Sequence, residues 1–116
     1  MKYEIEDVGK FKMIHVIGNF DVEISTKILD GEISVLIRKG CHHFVFNLER
    51  TTFLNSAGID LFIHCLCDVQ ENNGSIYLIA EDTQIKQILE MVGITRLIKT
   101  YNSQMEFIDA QNIPQD

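Results

Sequence analysis

Short apolar runs alternate with amphipathic stretches along the chain. Residues 12–17 (KMIHVI) place Met13, Ile14, Val16 and Ile17 in a strand-like run, and residues 3–8 read as its hairpin partner through Gly9 and Lys10. From Val22 to Lys39 the apolar residues Ile24, Ile28, Ile33 and Leu36 or Ile37 recur at helical spacing, and Gly40 sits where a helix commonly ends. Residues 44–48 (FVFNL) form a compact apolar run suited to a buried strand. After Asn55 the period changes again, with Ile59, Phe62, Ile63 and Leu66 on one helical face until Asn72, Asn73 and Gly74. Residues 76–79 (IYLI) predict the next buried strand, and Ile85, Ile88, Leu89 and Val92 mark a helix closed by Gly93. Leu97 and Ile98 predict a short edge strand, and a last helix from about Ser103 buries Met105 or Phe107. Such alternation implies βαβ units. The expected class is α/β, a mixed, mostly parallel sheet of about four to five strands with about four helices. In such sheets, function gathers where strands end and helices begin.

Composition narrows the function classes. A chain of 116 residues, 46% hydrophobic, is the size of one globular domain. The expected domain covers residues 1–111, and the polar end holding Pro114, residues 112–116, reads as a flexible tail. A net charge of −7 disfavours nucleic acid and anionic membranes, which reward Lys and Arg. No apolar run approaches the roughly 18 residues a membrane span needs, and the acidic first ten residues do not resemble a signal peptide. Three cysteines, Cys41, Cys65 and Cys67, are an odd number, which points to a reducing compartment and so to the cytoplasm.

The most informative stretch is FNLERTTFLNSAGIDLFIHCL, residues 46–66. A buried strand runs through a short loop into a helix that opens at about Asn55 or Ser56 with small residues, Ser56, Ala57 and Gly58. Glycine in a first helical turn costs about 1 kcal/mol relative to alanine, so a close approach by another surface should favour it. The apolar pair Phe53-Leu54 followed by Asn55-Ser56-Ala57-Gly58 resembles the signature of STAS-domain proteins, specifically the bacterial anti-sigma-factor antagonists. Three further elements agree in order and spacing: Gly18-Asn19-Phe20-Asp21 entering the first helix, Gly74 opening the IYLI strand, and MVGITRLI at residues 91–98.

The resemblance implies a protein-binding switch and not an enzyme, with no cofactor of its own. It implies that Ser56 accepts a phosphate. The unphosphorylated protein then binds an anti-sigma factor that is also a serine kinase, and a metal-dependent serine phosphatase restores it. It implies a partner surface made of Asp21, Phe53, Asn55, Ser56, Ala57 and Gly58, on a monomer or weak dimer. The family's usual aspartate before the acceptor is Asn55 here. Asparagine caps a helix equally well but removes a carboxylate beside Ser56. The alternative is a non-phosphorylated STAS subunit of a transporter or signalling scaffold.

Plainer readings stand beside these. The plainer reading makes Ser56 a helix cap and nothing more, and Asp21 only the cap of the first helix. Thr51 and Thr52 are loop hydroxyls or minor phosphorylation sites. His64 and Cys67 share a helical face, with Cys41, His42 and His43 elsewhere, but the spacing matches no standard zinc pattern, so no metal is expected. The acidic residues Glu4, Glu6, Asp7, Asp30 and Glu32 read as a solvated face.

Overall fold

A computed structural model describes residues 1–20, 23–81 and 83–114. Strands β1 (Lys2–Val8) and β2 (Phe11–Asn19) form the expected antiparallel hairpin, in register from Lys2 opposite Ile17 to Val8 opposite Phe11. Helix α1 (Glu23–Arg38) crosses to β3 (His43–Asn47), which lies parallel to β2. A short strand β4 (Thr51–Phe53) leads into α2 (Ser56–Glu71), and β5 (Ser75–Ile79) pairs parallel with β3. Helices α3 (Thr83–Met91) and α4 (Ile94–Leu97), strand β6 (Thr100–Tyr101) and α5 (Gln104–Ala110) follow. The sheet order is β1-β2-β3-β5-β6, with β4 pairing β2 off that path.

Phe44, Val45 and Phe46 are buried in succession because β3 is covered on both faces, as a central parallel strand must be. Ile14, Val16, Phe44, Phe46, Ile76 and Leu78 point to one face, beneath buried side chains of α1, α2, α3 and α4. Phe62 of α2 meets Phe46 and Phe20 edge-on, at ring centroid distances of 5.0 and 5.9 Å. The opposite face is smaller: Phe11, Met13, Val45, Ile79 and Tyr101 pack under Phe107 and Ile108 of α5. Ile113 packs against this second cluster and its N–H donates to the carbonyl of Ile108, 3.1 Å away.

Several sequence expectations need correction. Ile24 and Ile28 of α1 face solvent, and the buried stripe is Thr26, Leu29, Ile33 and Ile37, which follows the i, i+3, i+4 ladder more closely. Val92 lies beyond α3 and is exposed, whereas Ile85 and Leu89 reach the core. Leu97 and Ile98 are not an edge strand. Ile94 and Ile98, four apart, both anchor in the core, and the N–H of Ile98 donates to the Ile94 carbonyl at 2.9 Å, which makes a helical turn. The edge strand lies two residues later, with Thr100 opposite Leu78. Phe107 is the buried residue of α5, and Met105 is exposed.

Candidate functional site

The mouth of α2 is built from three pieces of chain. The N–H of Gly18 donates to the Arg50 carbonyl and that of Phe20 to the Phe53 carbonyl, both at 3.0 Å. Gly18 has a left-handed φ of +92°, and the register of β2 with β4 shifts just after it. Thr51 is buried and its hydroxyl donates to the Val16 carbonyl at 2.8 Å, so it is a structural clamp and out of reach of a kinase. Thr52 is exposed, and its hydroxyl donates to Asn19 Oδ1 at 2.5 Å. The Gly18–Phe20 corner is thereby fixed beside the loop that enters α2. Asp21, the fourth residue of that corner, lies outside the described residues.

Asn55 is the N-cap, in extended backbone, with its Oδ1 accepting from the Gly58 N–H at 3.1 Å. The capping reading of Ser56 is therefore replaced: Asn55 caps and Ser56 is the first residue of the helix. Ser56 is exposed, and among the described residues its hydroxyl has no protein partner. Gly58 is buried under Leu54 and Phe20, where an added Cβ would lie 2.6 Å from Leu54 Cδ1 and 2.8 Å from Phe20 Cδ1. The close approach expected at this glycine comes from inside the molecule. It lets the helix mouth settle onto two core side chains and leaves the serine facing out.

Around Ser56 the surface is apolar. One shallow groove runs between α2 and α3, lined by Leu54, Asn55, Ser56, Ile59, Asp60, Ile88 and Val92. A second, between α3 and β4, is lined by Thr52, Phe53, Ile88 and Met91 among others. The two meet at Ile88. Phe53 is 48% exposed, Met91 85% and Val92 54%, which is unusual for large apolar side chains on one patch. Among the described residues, Asp60, one turn after Ser56, is the single charged residue lining either groove. Sequence reasoning missed the α3 part of this patch. Its signal was present: Ile85, Ile88, Leu89, Met91 and Val92 are too many apolar residues for the stripe that one short amphipathic helix buries.

The histidines and cysteines do not converge. Cys65 is buried, and burial with Asp68 and Asp30 nearby pushes its thiol up to about 12, whereas Cys67 is exposed. His64 Nδ1 lies 3.0 Å from Asp30, joining α2 to α1. No group of three potential metal ligands occurs among the described residues. The acidic face is exposed but partnered: Tyr3 donates to Glu32 at 2.5 Å, Lys12 meets Asp7 at 2.5 Å and His15 meets Glu6 at 2.7 Å. No helix among the described residues is long and apolar enough to cross a membrane.

A two-faced mixed sheet with a small-residue helix mouth beside a β2 corner defines a class that the comparisons identify. Residues 2–106 match the STAS domain, and the chain belongs to that family. It is similar to the anti-sigma-B factor antagonist of Staphylococcus aureus, 25% identical over 98 residues that cover 84% of this chain and 90% of the relative. Among solved structures, the Bacillus cell fate determinant SpoIIAA in its phosphorylated form matches with a TM-score of 0.77 at 20% identity, covering 95% of this chain and 99% of the other. A sulfate transporter family protein from Wolinella succinogenes matches with a TM-score of 0.73 at 12% identity, covering 92% and 89%. These structural likenesses establish the STAS fold. The Staphylococcus relative is, by its name, a regulatory protein.

Proposed function

We propose that this chain is an anti-sigma-factor antagonist whose docking to an anti-sigma factor is switched off by phosphorylation of Ser56. The observation that carries the reading is the exposed, unpartnered Ser56 hydroxyl at the start of a sixteen-residue helix, set in an apolar surface. The similarity to an anti-sigma-B factor antagonist supports it. The chain supplies a surface and an acceptor; the kinase activity belongs to the anti-sigma factor, and a metal-dependent serine phosphatase reverses the step. It works in the cytoplasm as one unit, in which Ile113, expected in the tail, packs onto the second core cluster.

The physics of the switch is local. An apolar patch drives docking by removing its surface from water, at about 25 cal/mol per Å². A phosphate on Ser56 adds about −1.5 to −2 charges. In the free protein that charge is well placed, because the helix mouth offers backbone N–H groups and a partial positive charge. In the complex it would have to be desolvated against Phe53, Ile88 and Val92, four residues from the Asp60 carboxylate. Modification therefore costs the free chain little and the complex much, and about 1.4 kcal/mol of difference is already tenfold in affinity. No refolding is required.

Asn55 keeps the cap but withholds the carboxylate that the family places beside the acceptor, which lowers the expected rate of phosphate transfer. The same substitution favours the second reading, a STAS subunit of a transporter or scaffold that docks without a phosphorylation cycle. Incubating the protein with its cognate anti-sigma kinase and ATP, then mapping phosphate by mass spectrometry, separates the two. Phosphate on Ser56 is expected; phosphate on another residue, or none, would favour the second.

A further inference from the structure

The two edges of the sheet are unlike. Strand β6 is two residues long and offers little to pair with. Strand β1 runs seven residues in unbroken register with β2, and among the described residues none of its backbone groups bonds any other element. It contains no proline, and its ladder has no bulge. Its side chains alternate: Tyr3 and Ile5 join the larger core cluster, while Lys2, Glu4 and Glu6 lie on the other face and are exposed. The helix surface beside it is apolar. Ile28 of α1, 59% exposed, shares a shallow groove with Met1, Lys2, Tyr3, Glu4 and Ser25, and Ile24, one turn earlier, is 71% exposed. None of these residues lines either groove beside Ser56, so this surface is distinct from the proposed switch.

We propose that two copies of this chain pair antiparallel through β1, about a twofold axis at Glu4. An open strand edge flanked by apolar side chains is a template for another strand, and the charges on this one select its own copy. In a continuous sheet, residues opposite each other must point to the same face, which limits the registers to a few. With the axis at Glu4, Lys2 lies opposite Glu6 of the second copy and Tyr3 opposite Ile5, each twice. With the axis at Ile5, Glu4 would face Glu6 and Tyr3 would face Asp7. An axis at Tyr3 shortens the ladder. The one like-charge contact in the chosen register, Glu4 against its own copy, is eased by Arg50, whose guanidinium lies 3.7 Å from the Glu4 carboxylate. Ile28, beside the first residues of β1, then flanks the seam from both copies and loses its exposure. A contact this small belongs to the weak, reversible class.

Sedimentation velocity of the full chain from about 10 µM to about 1 mM tests this, and a reversible monomer–dimer equilibrium is expected. Lys2→Glu and Glu6→Lys, both at exposed positions, should each weaken it about tenfold or more, because each sets like charges opposite one another twice. Mixing the two single variants should restore association, since every changed position then meets the opposite charge. Both changes in one chain should restore it as well. Glu4→Gln, which removes the like-charge contact at the axis, should strengthen it. A monomer throughout this range would overturn the assignment. So would a dimer that ignores the charge changes, or one that neither the mixture nor the double variant restores.

Discussion

The two ends of α2 each depend on a glycine, and they use it differently. At the C-terminal end, an added Cβ on Gly74 would lie 1.9 Å from the His42 carbonyl oxygen, so two backbones pass in contact where α2 turns into β5 beside β3. The Gly74 N–H closes the helix on the Val69 carbonyl at 2.7 Å, and the Ser75 N–H donates to His42 at 3.0 Å. At the N-terminal end the approach to Gly58 is by the side chains of Leu54 and Phe20. The first end joins elements, and the one hydroxyl beside it, that of Ser75, is held by His43. The second seats the helix on the core while Ser56, two residues earlier, makes no contact that the fold requires. The proposed acceptor is separable from the fold at the mouth of α2, whereas the glycine at its tail is part of the fold.

Substitutions rank that contrast. Gly74→Ala should be the most damaging, about 3 kcal/mol, because a carbonyl in a parallel ladder cannot move aside; a denaturant midpoint near wild type would contradict it. Gly58→Ala should cost somewhat less, about 1–3 kcal/mol, since a leucine methyl and a ring can shift by tenths of an ångström. Asn55→Ala removes the bond to the Gly58 N–H and should cost about 1 kcal/mol, whereas Asn55→Asp should cost almost nothing and speed phosphorylation. Thermal melts of the set give the order. Ser56→Ala should leave the melting temperature unchanged, and a large drop would mean that the serine is structural after all.

A small, pH-dependent effect is expected at the C-terminal end. His43 bonds the Ser75 hydroxyl through Nδ1 at 2.8 Å, and its pKa is lowered by burial, then by Lys10 and His42. The unfolded chain therefore takes up this proton first, and stability is lost as pH falls below about 6.5. In His43→Gln the acid slope between about pH 7 and 5 should flatten, as read from denaturant midpoints at each pH.

Most of the fold was legible because hydrophobic period reports it directly. The FVFNL and IYLI runs are β3 and β5, and the hairpin and helix order follow from simple alternation. The helix faces were less legible. Ile24 and Ile28 fit a helical period, but only the sheet beneath α1 decides that Leu29, Ile33 and Ile37 are the buried set. Strand β4 escaped notice because three residues carry no period, and its pairing to Gly18 and Asn19 is long-range. At the candidate site, the local motif was enough to single out Ser56 as the proposed acceptor. Its apolar extension over Ile88, Met91 and Val92 was not legible, because these residues lie some thirty-five to forty positions from Phe53 and only the packing of α3 brings them beside it.

Calorimetric titration of the cognate anti-sigma factor with wild type, Ser56→Ala and Ser56→Asp chains tests the switch most directly. Equal affinity for wild type and Ser56→Ala is expected, with binding weakened about tenfold or more in Ser56→Asp. Undiminished binding by Ser56→Asp would contradict the claim that charge at the mouth of α2 governs docking.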